Sequence, residues 1–161
     1  PNVQNIPTST LKGNIWYHLG LALYLEKDYY RAGEVYKACL KFSTNPDMYM
    51  ATAYWLFITL KRSGKELEAS ALLETVDIGL PLIENEEYYE MLLLYKGVLK
   101  EEQLMDKLQS AGGSQKNATL GYSMGVYFQL KNQPEKAKGL FKEVLSGNQW
   151  SSFGFIAAEK E

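Results

Sequence analysis

Reactive side chains are scarce in this 161-residue chain: it holds one cysteine, Cys39, and one histidine, His18. A single cysteine closes no internal disulfide, builds no cysteine-rich metal site, and does not separate a reducing from an oxidising compartment. Any histidine-based triad or metal centre would have only His18 to build on. No apolar run approaches the roughly 20 residues of a membrane span. Lys and Arg form no block and the net charge is −2, so the polyanion attraction behind nucleic-acid binding is missing. "AGGSQKN" (residues 111–117) lacks the G-x-x-x-x-G-K spacing of a phosphate-cradling loop. "PNVQNIPTSTL" has neither an initiator methionine nor a signal-peptide pattern. Residues 1–12 are therefore expected to be a linker leading from a missing upstream segment.

What remains is a globular balance, 46% hydrophobic and 22% charged, in a chain long enough for a real core. Helical periodicity dominates and strand alternation is absent. Residues 14–40, "NIWYHLGLALYLEKDYYRAGEVYKACL", show the pattern at its strongest. At 100° per residue Trp16, Leu19, Gly20 and Leu23 share one side, and Tyr17, Leu21 and Tyr24 form a second stripe about 100° away. A helix apolar over so much of its circumference expects neighbours on more than one side. Turn signals recur along the chain: "EKDY", "STNPD", "RSGKE", "LPLIENEE", "SAGGSQKN" and "KNQPEK". Several read as helix starts. Asn45 can cap with Pro46 first in the helix and Asp47 at its positive end. Ser63 with Glu66 reads as a capping box, and Asn132 with Glu135 repeats the idea around Pro134.

The helical hairpins are self-similar. The first runs Trp16, Leu19, Gly20, Leu23, a turn at Lys27–Asp28, then Ala32 and Tyr36. The second runs Ala53, Leu56, Phe57, Leu60, a turn at Gly64, then Ala69 and Leu73. A less regular third runs Tyr88, Met91, Leu92, Tyr95, then Leu104 and Leu108. The last runs Gly121, Met124, Gly125, Phe128, a turn at Asn132, then Ala137 and Phe141. The starts are separated by 37, 35 and 33 residues. Trp16-x2-Leu19-Gly20, Ala32-x3-Tyr36 and Pro46, with Ala69-x3-Leu73, Pro81 and Ala137-x3-Phe141, resemble the tetratricopeptide (TPR) repeat. Leu23 replaces that pattern's aromatic, with Tyr24 beside it, and Phe57 replaces its glycine. The third unit lacks both Gly and Ala, so altered packing is expected over residues 80–112. More loosely, both chain ends resemble the C-terminal part of bacterial proteins with such repeats. The resemblance implies an all-α, right-handed superhelix, a solenoid of about four hairpins. Their spans are about 13–45, 46–80, 85–112 and 116–148, with a capping helix at 149–161.

Small residues at Gly20, Ala32, Ala69, Gly125 and Ala137 would let paired helices approach. Trp16, Tyr36, Leu73 and Phe141 would fill the space between layers. The Trp16 stripe is expected to face its own hairpin partner and the Tyr17 stripe the adjacent repeats. "GYSMG" reads as close soluble packing. The register also exposes a ladder. One residue after each start stand Tyr17, Tyr54, Tyr89 and Tyr122; five after stand Leu21, Ile58, Leu93 and Val126. In the resembling family such side chains line a concave face. Two readings stay open: packing between repeats, or a groove gripping a protein segment through Tyr17, Leu21, Tyr24, Tyr54, Ile58, Lys61, Tyr89 and Tyr122. Leu21 stands where relatives that clamp a carboxylate carry a polar residue, which argues against such a clamp. Lys61, Arg62 and Lys96 form a local basic spot or a solvated rim.

The remaining features read as structural. Cys39 suits a small core residue, His18 a partly exposed rim position, and the carboxylates of "EEYYE" and "KEEQLMDK" solvated helix faces. Asn117-Ala118-Thr119 is a formal glycosylation sequon. Trp150, Phe153, Phe155, Ile156 and Ala157 mark the capping helix. The expected function is a soluble, non-enzymatic scaffold or adaptor for a protein or peptide. No cofactor, metal, nucleic acid or membrane span is expected, and the setting is a bacterial cytoplasm or periplasm. The alternatives are self-association through the first hairpin or Trp150 and Phe153, or a docking arm of a larger protein.

Overall fold

A computed structural model describes residues 7–110 and 115–161, without the side chains of 115–117. Residues 1–6 of the expected linker, residues 111–114 of "AGGSQKN" and the Asn117 side chain of the sequon lie outside the described residues. Among the described residues the regular elements are all helices. The elements are α1 (Leu11–Leu25), α2 (Tyr29–Leu40), α3 (Pro46–Arg62), α4 (Glu66–Glu74), α5 (Glu86–Tyr95), α6 (Glu101–Ser110), α7 (Gln115–Leu130), α8 (Pro134–Ser146) and α9 (Phe153–Ala158).

Four turns share one device. Lys27, Gly64, Gly97 and Asn132 have φ of 60°, 70°, 78° and 56°, the left-handed conformation that ends a helix in a Schellman-type turn. The next residue's N–H reaches back to an orphan carbonyl: Asp28 to Leu23 (3.0 Å), and Lys65 to Leu60, Val98 to Leu93 and Gln133 to Phe128 (2.9 Å each). After Lys27, Gly64 and Asn132 one residue intervenes before the next helix; after Gly97 three do, Val98–Lys100. The left-handed residues are separated by 37, 33 and 35 positions. The last two intervals are exchanged relative to the sequence register, because the third turn carries the extra residues.

That device overturns two of the expected caps. Ser63 closes α3, its hydroxyl donating to Thr59 O at 2.7 Å, and the left-handed Gly64 must follow before α4 can begin. The residue before α4 is Lys65, without a side-chain cap, and Gln133 has the same place before α8. Asn132 is spent on the left-handed position. The expected Asn45 cap forms, and Asp28 caps α2 as well. Asn45 Oδ1 accepts from Met48 N at 2.9 Å. Asp28 Oδ1 accepts from Arg31 N at 3.1 Å, and the bonds from Arg31 hold this carboxyl below its usual range.

The chain divides into two compact units, one ending at Leu92 and one starting at Leu93. In the first, α1 packs on α2, both meet α3, and α3 packs on α4. Gly20 sets the first crossing: a Cβ there would lie 2.5 Å from the buried Tyr36 ring. Ala32 and Ala69 are likewise buried. The α4–α5 connection, residues 75–85, is tied down by two side chains. The buried Asp47 carboxylate accepts from the N–H groups of Ile83, Glu84 and Asn85 at 2.7–3.2 Å. Tyr89 donates its hydroxyl to Asp77 O (2.9 Å) and accepts from Gly79 N (2.8 Å) and Leu80 N (3.2 Å).

In the second unit α7 is central, contacting α6, α8 and α9. The α7–α8 crossing repeats the first one. A Cβ on Gly125 would lie 2.3 Å from Phe141, and one on Gly121 would lie 2.7 Å from Val144. Close packing is therefore what "GYSMG" provides. The expected cap shortens to α9, whose Gly154 backbone presses on α7: its Cβ would stand 2.3 Å from Ala118 O. Ala157 and Ala158 are buried, whereas Trp150 is exposed.

Candidate functional site

The tyrosine ladder lies inside the protein. Tyr17, Leu21, Tyr24, Tyr54, Ile58, Tyr89 and Tyr122 are each between 0 and 7% exposed. Of the eight expected contact residues only Lys61 keeps appreciable exposure, and its ammonium pairs with Glu66. The rings are engaged with each other. Tyr24 meets Trp55 edge to face at 5.1 Å and Tyr29 at 5.4 Å, and Tyr54 stacks on Tyr88 at 5.1 Å. Tyr17 meets Tyr36 at 6.4 Å. Burial pushes the phenols of Tyr17 and Tyr36 well above their ordinary pKa, and in each case neighbouring tyrosines add to the shift. In the second unit the Tyr122 hydroxyl donates to Glu161 Oε1 at 3.1 Å, and its ring lies 5.7 Å from Phe141. These rings offer a partner no open face. In the first unit they fill the space between one hairpin and the next helix, the packing alternative left open above.

The third rung needs a correction of register. Ten residues before each left-handed turn residue stand Tyr17, Tyr54, Glu87 and Tyr122; six before stand Leu21, Ile58, Met91 and Val126. Tyr89 therefore belongs to neither row, and its hydroxyl is the clasp on residues 77–80. Glu87 is buried, against the expectation of a solvated carboxylate. The longer third turn, Val98–Lys100, shifts the count by two residues, and nothing in the local sequence marks that shift. Arg62 forms no basic spot: its guanidinium lies 5.4 Å from the Tyr24 ring and donates to Tyr29 OH at 3.0 Å. Cys39 is fully buried, its thiol 3.6 Å from Thr52 Oγ1, and burial raises its pKa. His18 is exposed, with Nδ1 2.7 Å from Asn14 O.

The surface offers few alternatives. Among the described residues no group of three His, Cys, Asp or Glu is placed to hold a metal ion, and no helix is long and apolar enough to cross a membrane. A groove in the second unit has Met105, Phe128 and Leu140 in its floor. Lys136 lies over Phe128, and Glu101 pairs with Lys131 and Lys136. Charged side chains that pair with one another therefore border this groove. A cleft in the first unit is bounded by Asn45, Tyr49, Thr75 and Leu80, with the Tyr49 and Thr75 hydroxyls 2.9 Å apart.

One apolar surface is both extended and open, the outer face of α1. Leu11, Ile15 and Leu19 are 79%, 60% and 45% exposed and follow each other at four-residue spacing, so they line one side of the helix. Trp16 stands beside them half-buried, its ring 6.4 Å from Phe42. The expected division of α1 holds only in part. Gly20 faces the hairpin partner and the Tyr17 stripe faces α3, but Leu19 points out of the fold. Other exposed apolar residues, such as Leu67, Ile78 and Trp150, lie apart along the chain, as single surface residues commonly do. Leu11, Ile15 and Leu19 instead lie in a row on one helix face.

No protein-family model matches this sequence, and neither a curated protein nor a solved structure does.

Proposed function

We propose that this chain is a non-enzymatic protein-interaction module of the TPR type, whose hairpins are repeats stacking in the right-handed manner the resemblance implies. Its contact surface is the outer face of α1. The reading is supported by four turns of one design and by the small-against-large crossings of Gly20 with Tyr36 and Gly125 with Phe141. The observation that carries it is the row of exposed Leu11, Ile15 and Leu19. Burying such side chains yields about 25 cal/mol per Å², and a protein segment with an apolar helical face is the partner that would do so.

A photo-crosslinking residue at Ile15, with the same residue at the exposed Ser70 of α4 as control, tests this in cells. Adducts to protein from position 15 and not from position 70 are expected. No adduct from position 15, or the same adducts from both, would overturn the reading.

A further inference from the structure

We infer that the partner of α1 is the α1 of a second copy of this chain, paired antiparallel about a twofold axis at Leu19. The inference rests on the reading of α1 as a contact face and names what covers its Ile15 and Leu19. In an antiparallel pair of identical helices crossing at Leu19, each residue meets the one equally far beyond that point. Lys12 then faces Glu26, Ile15 faces Leu23, Trp16 faces Ala22, and the two Leu19 side chains meet on the axis. At 100° per residue these positions fall within one stripe about 120° wide. All seven are exposed or half-buried.

The face is therefore self-complementary in charge and in size. A cation lies across from a carboxylate at both ends, and the largest side chain across from the smallest. Lys12 is the sole charged residue between Leu11 and Leu25, so nothing on the helix opposes the pairing. Its ammonium rests over Phe42, 3.8 Å from the ring centroid, at the edge of the stripe. A parallel pair would set Lys12 against Lys12 and Glu26 against Glu26, and would align rather than oppose the helix dipoles. Fifteen residues of helix measure about 22 Å, so the interface belongs to the small, transient class below about 1,200 Å².

The test is sedimentation equilibrium of the whole chain from about 1 μM to about 1 mM, the range in which a weak dimer forms. Mass rising toward two copies is expected. Leu19→Glu, at an exposed position, should leave the circular dichroism unchanged and abolish association. Lys12→Glu should weaken association several-fold, and Lys12→Glu with Glu26→Lys should restore it. A strict monomer, association indifferent to Leu19→Glu, or a double exchange no better than the single one would overturn the inference. If the chain stays monomeric while position 15 crosslinks to a different protein, the second copy is wrong and the contact face stands. If it stays monomeric and position 15 crosslinks to nothing, both fail.

Discussion

As sequences α1 and α3 are near equals. Each opens a hairpin, each is apolar on all sides, and Tyr17 with Leu21 in one matches Tyr54 with Ile58 in the other. In the folded chain they part. Every residue of α3 from Met50 to Leu60 is buried, because α1, α2 and α4 and the Tyr88 ring of α5 surround it. α1 meets α2 and α3 along one side, where Tyr17, Gly20, Leu21 and Tyr24 are buried, and is open along the other. An all-round apolar helix states how many neighbours a chain is built for. In α3 they are present within the unit; in α1 part of the circumference stays exposed.

The largest expected effect is on the enclosed side. Tyr54→Ala or Trp55→Ala should cost about 3–5 kcal/mol in urea unfolding, as large-to-small changes in a closed core do. Tyr17→Ala should fall close to them, since it occupies α1's buried side. Unchanged melting of a Tyr17→Ala, Tyr54→Ala double variant would make the ladder a surface after all and erase the contrast.

Next come the crossings. Gly20→Ala drives a methyl into the Tyr36 ring, which has no room to yield, and should cost about 1–3 kcal/mol. Gly33→Ala, whose Cβ would sit 3.8 Å from Thr59 Cγ2, should instead gain about 0.5–1 kcal/mol from the helix preference for Ala. Equal effects of the two in thermal unfolding would mean that the α1–α2 approach is looser than described.

A third effect is alkaline. Burial raises the folded-state pKa of Tyr17 and Tyr36 above the unfolded value of about 10. Below that value both states are neutral and these phenols contribute no pH dependence. Above it the unfolded chain releases protons that the folded one retains, so stability falls as pH rises, by about 1.4 kcal/mol per phenol per pH unit. Phenolate absorbance should show the buried Tyr17 and Tyr36 rings ionising only together with the loss of helix.

The smallest effect probes the open side. Ile15→Ser should change stability by no more than about 0.5 kcal/mol, whereas Ile58→Ser in α3 should be severely destabilising in the same assay. A large loss from Ile15→Ser would show that the α1 face is already covered within the chain.

Local chemistry was the legible part of the fold. The turns at Lys27–Asp28, Gly64 and Asn132, the Asn45–Pro46 cap and the small residues at Gly20 and Gly125 could be read from the residues. Each depends on side chains within a turn or two of itself. Ser63 and Asn132 were misassigned because a capping-box pattern and a left-handed turn use the same residue types. The site was less legible. The sequence pattern brought Tyr17, Tyr54 and Tyr122 into one row but left open whether that row is packing or a groove, since tyrosine serves both; burial decides for packing. It put Tyr89 in that row because the extra turn residues Val98–Lys100 carry no distinctive chemistry.

By itself the sequence determined that this protein is helical, where three of its four hairpins turn, and which positions must be small for helices to meet. These follow from backbone sterics and short-range periodicity. Only the tertiary structure decided which of two apolar stripes on α1 is interior, that the tyrosine row is core, and that Leu11, Ile15 and Leu19 face outward. Burial depends on how many neighbours arrive around a helix, and residues distant in the chain supply them.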